Sequence, residues 1–393
     1  MSNRAGNLVQ QQAGPDGFSA FMPTPLPPNP PVLLEGELAR LHETAAFALG
    51  RLDGASAQLD PERLLYMYVR KEAVLTSQIE GTQSTLSDLL EYENASAPGT
   101  PVDDVREVSR YVDALFYAID KIKTGTLPLS LRLLKQAHSR LMSAGRGSTR
   151  APGEFRRTQN WVGGTRPGNA IYVPPPPHEV MPALDNLERY LHDEFGSTPV
   201  LLKAGIAHAQ FETIHPFLDG NGRIGRLLIS LMLVVDGALA HPYFYISLYF
   251  KKHRSDYYDA LHRVRTQGDW EGWLRFFLIG VEAVADEATQ TAEALSNLFV
   301  SDRAKVERLG RAAPSALKVY DLMRQRILIS AARAGKELGL TWPTVQAALK
   351  RLQELGIAHE VSGRRRNRLY QYTSQLQLLN RDTDVGDPGR QAQ

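Results

Sequence analysis

Cysteine is absent from the 393 residues, which excludes disulfides, thiolate metal sites and a thiol nucleophile. An excess of one charge is also missing, with 45 Lys and Arg against 43 Asp and Glu. The chain as a whole therefore has no pull toward nucleic acid or an anionic membrane. No signal-peptide core opens the sequence, and the apolar run after Arg226 is too short and too interrupted to span a bilayer. A cytoplasmic protein without membrane contact is expected. What is present, 43% hydrophobic and 22% charged residues, is ordinary for soluble globular protein, and the length suggests two or three domains.

One stretch concentrates chemistry: His215-Pro216-Phe217-Leu218-Asp219-Gly220-Asn221-Gly222-Arg223-Ile224-Gly225-Arg226. An apolar run follows it directly, so the stretch reads as a polar loop feeding a helix N-terminus. The first N–H groups of a helix lack intrahelical partners and sit at the positive end of its dipole. Gly220 and Gly222 let backbone approach an anion closely, and Asn221 between them completes the turn, which makes a phosphate cradle. Arg223 and Arg226 are three apart, so they share one helical face and can grip phosphate oxygens. Asp219 is a hard oxygen ligand of the kind Mg²⁺ takes when it bridges a polyphosphate. His215, at the loop entrance, can accept a proton near neutral pH.

The remainder is expected to be mainly α-helical. Residues 1–32 are Gln-, Gly- and Pro-rich, either disordered or an extended strap. A helical region, 33–118, follows; within it Asp60-Pro61-Glu62 starts a helix that runs to a cap at Gly81. The core, 119–290, holds the motif and an irregular Gly- and Arg-rich segment. There Gly163-Gly164 and Ala170-Ile171-Tyr172-Val173 predict a small β-hairpin, a substrate-gripping flap on an otherwise helical body or else a surface loop. After the motif helix, Tyr249 and Tyr257 are candidates to stack on a purine, in a stretch where packing accounts for most tyrosines. His208, seven residues before His215, lacks the carboxylate spacing of a zinc site. A linker helix, 291–311, leads to a module at 312–375 with 11 Lys and Arg against 4 Asp and Glu. Three helices and a hairpin carrying Arg364-Arg365-Arg366-Asn367-Arg368 resemble a winged helix-turn-helix. DNA or a docked protein is its expected partner. Residues 376–393 form a polar tail.

The motif resembles the Fic (Fido) family signature, His-x-Phe-x-Asp/Glu-Gly-Asn-Gly-Arg-x-x-Arg, at every specified position. The lead-in before His215, the flap, the tyrosine-rich stretch, the long helix and the C-terminal winged helix resemble the same family, over roughly residues 20–375. The resemblance implies a Fic-type helical core and a protein adenylyltransferase, moving AMP from ATP to a Ser, Thr or Tyr hydroxyl and releasing pyrophosphate. By position His215 is then the general base and Phe217 the core anchor of the loop. Asp219 is the Mg²⁺ ligand, and Gly220, Asn221 and Gly222 cradle the α- and β-phosphates. Arg223 and Arg226 hold the β- and γ-phosphates. Thr76-Ser77-Gln78-Ile79-Glu80-Gly81 is similar to the family's inhibitory motif, which makes Thr76 and Glu80 regulatory. A protein substrate, self-modification and a homodimer follow as partners. The motif leaves open AMP removal or another nucleotidyl transfer on the same core, and a winged-helix transcription regulator with a nucleotide-sensing domain.

Overall fold

The computed structural model describes residues 4–11, 17–58, 61–94, 102–145, 147–194, 196, 198–364 and 367–381. Asp60, Arg365, Arg366 and the tail beyond 381 lie outside them. Two short strands come first, β1 (Asn7–Gln10) and β2 (Ser19–Met22), paired antiparallel. They are followed by helices α1 (Gly36–Gln58), α2 (Pro61–Ile79), α3 (Leu86–Glu93), α4 (Val102–Lys123) and α5 (Leu131–Leu141). After an irregular segment come α6 (Pro177–Leu191), α7 (Val200–Ile214), α8 (Asn221–Val235), α9 (Ser247–Lys252), α10 (Arg254–Gln267) and α11 (Trp270–Glu307). The C-terminal unit holds α12 (Ala313–Arg326), β3 (Leu328–Ser330), α13 (Ala331–Leu338), α14 (Trp342–Glu354), β4 (His359–Glu360), β5 (Leu369–Gln371) and α15 (Thr373–Leu379). No helix among the described residues is long and apolar enough to cross a membrane.

The centre is the antiparallel pair α7 and α8. From Leu201 to Ile214 every residue of α7 is buried, and α8 is buried from Arg223 to Leu233. With apolar residues on every side and their few polar ones buried too, these helices have no solvent face and lie inside. Truncating one of their leucines to alanine would cost about 2–5 kcal/mol. Around this pair α2, α4 and α5 pack on α8, and α6, α10 and α11 on α7, while α1 lies along α11. The shell fixes the loop between α7 and α8 without leaving that loop itself deep in the core.

The expected boundaries at 118/119 and 290/291 fall inside continuous helices, α4 and α11. Helix α11 is one rod of 38 residues that serves the core with its first half and the C-terminal unit with its second. Tyr372 Oη donates to Asp302 Oδ2 at 2.6 Å and Tyr320 Oη to the Phe299 carbonyl at 2.9 Å, both on α11. The C-terminal sheet has the order β3-β5-β4, all antiparallel. The tail expected from 376 begins inside α15, whose Leu376 and Leu379 are buried.

The Pro-rich segment is a strap where it is described. Leu26 N–H donates to Asn186 Oδ1 at 2.6 Å, and Gln210 Nε2 donates to the Thr24 carbonyl at 3.0 Å. The expected flap hairpin shrinks to a single bridge between Val162 and Tyr172. Its return strand instead takes a second partner from far away in sequence, because Phe21 N–H of β2 donates to the Val173 carbonyl at 2.8 Å.

Candidate active site

Helix α7 stops at His215, whose backbone is left-handed at φ 50° and whose N–H still reaches the Phe211 carbonyl at 2.9 Å. The reversal throws the chain into the loop 216–220. Phe217 anchors that loop: fully buried, it stacks on His138 at 3.7 Å and meets Phe155 at 5.1 Å between ring centroids. Asn221 closes it from the other end. Its Oδ1 accepts from Phe217 N–H and its Nδ2 donates to the Phe217 carbonyl, both at 2.8 Å. The Asn221 side chain is therefore a clasp, and only its backbone N–H faces the cradle proper.

Four further residues, none singled out by the motif, hold this turn. Arg156 Nε and Asn160 Nδ2 donate to the His215 carbonyl at 2.9 and 3.3 Å, and Asn160 also reaches the Phe217 carbonyl at 2.8 Å. Arg265 NH2 donates to the Glu212 carbonyl at 3.3 Å in the last turn of α7. His138 Nδ1 accepts from Gly153 N–H at 2.8 Å, which leaves Nε2–H to donate to the Asp219 carbonyl at 3.0 Å. Burial lowers His138 to about 4, so the ring is a neutral, fixed spacer. Arg156 and Asn160 come from the Gly- and Arg-rich segment and His138 and Arg265 from helices α5 and α10, and only the fold brings them here.

Gly220 caps α8 at φ 77°, a conformation suited to glycine, and a Cβ there would lie 2.9 Å from Met142 Sδ. Asp219 stands before it with its side chain 42% exposed and Oδ1 accepting from Gly220 N–H at 2.6 Å. Arg223 NH1 lies 3.4 Å from Glu107 Oε2 and its NH2 lies 3.5 Å from Asp219 Oδ1. Glu107, buried on α4, is a partner that no pattern in the sequence announces.

Arg226 is 1% exposed and engaged by α2 and the residue that follows it. Its Nε donates to Thr76 Oγ1 at 2.6 Å, and its NH2 donates to the Thr76 carbonyl at 3.1 Å and to Glu80 Oε1 at 2.6 Å. Burial opposes the guanidinium charge, but Glu80, Tyr257 and Glu212 together outweigh it and hold Arg226 above its ordinary value. Burial likewise works against the Glu80 carboxylate, and Arg226 more than offsets it, so Glu80 is lowered. A Cβ on Gly222 would collide with Glu80 Oε1. The glutamate thus lies against the first turn of α8, where an anion is favoured.

The His215 ring is lowered to about 4 by burial, then by Arg265 and Arg156, against the raising effect of the Glu212 carbonyl and Glu80. At neutral pH it is an unprotonated imidazole, able to accept a proton. The two tyrosines divide. Tyr249 is half-buried, its ring 4.3 Å from His253 and 5.1 Å from Phe276. Tyr257 is 1% exposed, stacked on Phe250 at 4.5 Å, with its hydroxyl 2.9 Å from His208 Nε2. Tyr257 is thus a core residue and offers no face to a purine; the exposed ring on α10 is its neighbour Tyr258. His208, spoken for by Tyr257, makes no metal pair with His215. No cluster of three or more His, Asp or Glu suited to a metal occurs among the described residues.

The family model described as Fic/DOC family N-terminal matches residues 39–120, and the one described as Fic/DOC family matches residues 128–233. Proteins named protein adenylyltransferase Fic from Drosophila melanogaster and Drosophila sechellia are each 32% identical over 213 residues, 53% of this chain and 39% of theirs. The chain thus matches well under half the length of these curated relatives. A Fic family protein from Desulfovibrio desulfuricans G20 superposes with a TM-score of 0.57 at 23% identity, over 87% of this chain and 97% of that one. Fic-1 (residues 134–508) from C. elegans superposes with a TM-score of 0.51 at 22% identity, over 66% of this chain and 74% of that one. The likeness to the solved structures extends the shared fold well past the matched domains. Over residues 39–120 and 128–233 the chain belongs to the Fic/DOC family.

Proposed function

We propose that the chain is a protein adenylyltransferase, transferring AMP from ATP to a protein hydroxyl, and that Glu80 holds it in a restrained state. The observation that carries this reading is the Glu80 carboxylate itself. It rests on the N-terminal turn of α8, paired with Arg226 at 2.6 Å, and so stands in for a terminal phosphate at an anion site. The names of the Drosophila relatives support the activity, and the motif residues around the loop fit it.

On this reading the triphosphate lies along the first turn of α8. The backbone N–H groups at Gly220, Asn221 and Gly222 serve its inner phosphates, and Arg223 and Arg226 its outer ones. His215 takes the proton of the target hydroxyl. The hydroxyl oxygen bonds to the α-phosphorus as the bond to the bridging oxygen breaks, and pyrophosphate departs. Asp219 is a lone, half-exposed carboxylate in its neighbourhood. That donor set fits Mg²⁺, which is commonly held by one or two carboxylates together with substrate phosphates. When bound, the ion would neutralise phosphate charge. With Glu80 on Arg226, the outer phosphates lose their arginine and the α-phosphorus loses its alignment with the hydroxyl. Misplacement by about 1 Å costs on the order of 10²-fold.

The reading is tested by incubating the protein with a lysate and either α- or γ-labelled ATP. Label carried onto protein from the α-position alone is the expected result. Label from the γ-position would make the chain a kinase, and label from α-labelled UTP instead would change the nucleotide. Loss of AMP from a pre-modified protein, without transfer, would favour the reverse reaction.

The C-terminal unit supports a second role. Helix α14 exposes Trp342, Lys350 and Arg351, with Thr341 exposed at its N-cap, ahead of the antiparallel β5-β4 pair. Three helices followed by such a pair suit a winged helix-turn-helix with α14 as the reading helix, and its basic surface favours DNA.

A further inference from the structure

Glu212 has no assigned role in the reaction, yet it is the carboxylate nearest to the base. It lies one turn before His215 on α7, buried, with Oε2 3.8 Å from His215 Nδ1. Its backbone carbonyl is 3.4 Å from the same nitrogen. The other oxygen, Oε1, is buried and has no hydrogen-bond partner among the described residues. It faces Gly225 of α8 so closely that a Cβ there would lie 2.6 Å away. A buried carboxylate with an unpartnered oxygen is costly unless a charge nearby compensates.

The charges around it are mixed. Arg226 on α8 and Arg265 on α10 favour its ionised form, and Glu80 just after α2 opposes it. His208 of its own helix is neutral, lowered to about 3 by burial. Tyr257 and Tyr258 of α10 and Tyr172 of the flap segment feel its charge but keep their protons. His215 has the opposite problem. Burial, Arg265 and Arg156 all resist the imidazolium that forms when the ring accepts a proton.

We propose that Glu212 is a positioning residue for His215, holding Nδ1 toward the α7 turn and balancing the charge the ring acquires when it takes the hydroxyl proton. The proposal rests on the adenylyltransferase reading for its catalytic meaning. In the step itself the hydroxyl O–H bond breaks and its proton moves to His215 Nε2. The new O–P bond forms as pyrophosphate leaves, and the Nδ1–H then faces an anionic carboxylate. Burial pushes Glu212 up to about 7, against the lowering effect of Arg226 and Arg265, so the ionised carboxylate that faces His215 is the form present above neutral pH. Removing Glu80 removes one charge that opposes Glu212 ionisation, which links release of α2 to the basicity of His215.

The deciding measurement is the titration of the His215 ring by NMR in protein labelled at histidine, with the resonance assigned from His215→Ala. It is made in Glu80→Gly and again with Glu212→Gln or Glu212→Asp added. An opposite charge within about 4–6 Å raises a histidine by about 1 unit or more. The midpoint is therefore expected to fall by about that amount in Glu212→Gln, a tenfold loss of proton affinity, and to fall less in Glu212→Asp, which keeps the charge. An unchanged midpoint in Glu212→Gln, or equal falls in both variants, would overturn the proposal. In α-label transfer the acid limb should move to lower pH and the plateau should fall about tenfold, with the KM for ATP unchanged. A Glu80→Gly protein that transfers no α-label would defeat the transferase reading, while the titration would still decide the role of Glu212.

Discussion

At the scale of single residues, the proposed base and the two arginines are each held by something the motif does not contain. His215 owes its neutral state to burial and to Arg265 and Arg156, and its direction to a left-handed backbone that two side chains pin by its carbonyl. On the adenylyltransferase reading the imidazole acts on the hydroxyl and not on the phosphates. His215→Ala in the Glu80→Gly background should lower α-label transfer by roughly 10²–10⁴ while ATP affinity by calorimetry stays nearly constant. Undiminished transfer would remove His215 from the role. The motif residues were legible because helical spacing and turn chemistry are local. Glu107, His138, Arg156, Asn160, Glu212 and Arg265 were not, because each meets the loop only through tertiary packing. Tyr257 was misread for the same reason: it and Tyr258 look alike in sequence, and only the helix phase decides which one faces solvent.

Among the elements, α2 is the one on which the proposed restraint of the site rests. Glu72, Thr76 and Glu80 follow at four-residue spacing, so they line one face of the helix and its end. Thr76 and Glu80 take Arg226, while Glu72 accepts from Ser247 Oγ and N–H at the start of α9. Burial raises Glu72 to about 8 from an ordinary 4.5. Between those values the native state holds a proton that the unfolded chain has lost, so stability falls as pH rises through the window. Glu72→Gln should therefore lose less urea resistance than the wild type between about pH 5 and about pH 9. Parallel declines would show that Glu72 is ionised in the native state. The flap shows how far element-level reading reached. Its turn glycines and its return strand were visible, but the partner of that strand, β2, lies some 150 residues away and no local pattern could indicate it.

Helix α14 is the other element with a separate consequence. If its exposed basic side reads DNA, a gel shift at low salt should retain duplex at micromolar protein, and the retained fraction should fall steeply as salt rises. No retention under those conditions would leave protein docking as the role of the C-terminal unit.

Over the whole molecule, the parts are wired to one another through α2 and α11. Arg333 of α13 donates to the Glu93 carbonyl at 3.3 Å and to Asn94 Oδ1 at 2.9 Å, and Gln375 of α15 reaches Met67 Sδ of α2 at 3.0 Å. The C-terminal unit thus braces α2, just beyond whose end Glu80 lies, and the end of α3. The helical class, the order of the parts and the long exit helix could be read from periodicity and caps. The places where one part ends could not, since α4 and α11 run straight through the expected boundaries.

The central claim is that Glu80 restrains the site through Arg226. It is tested most directly by initial rates of α-label transfer for wild type, Glu80→Gly and Glu80→Gly/Arg226→Ala, at one saturating ATP concentration. Freed of its carboxylate, Arg226 should raise the rate on the order of 10²-fold, with self-modification the first visible product, and the double variant should lose that gain. Equal rates in wild type and Glu80→Gly would contradict the account, as would a gain that survives removal of Arg226.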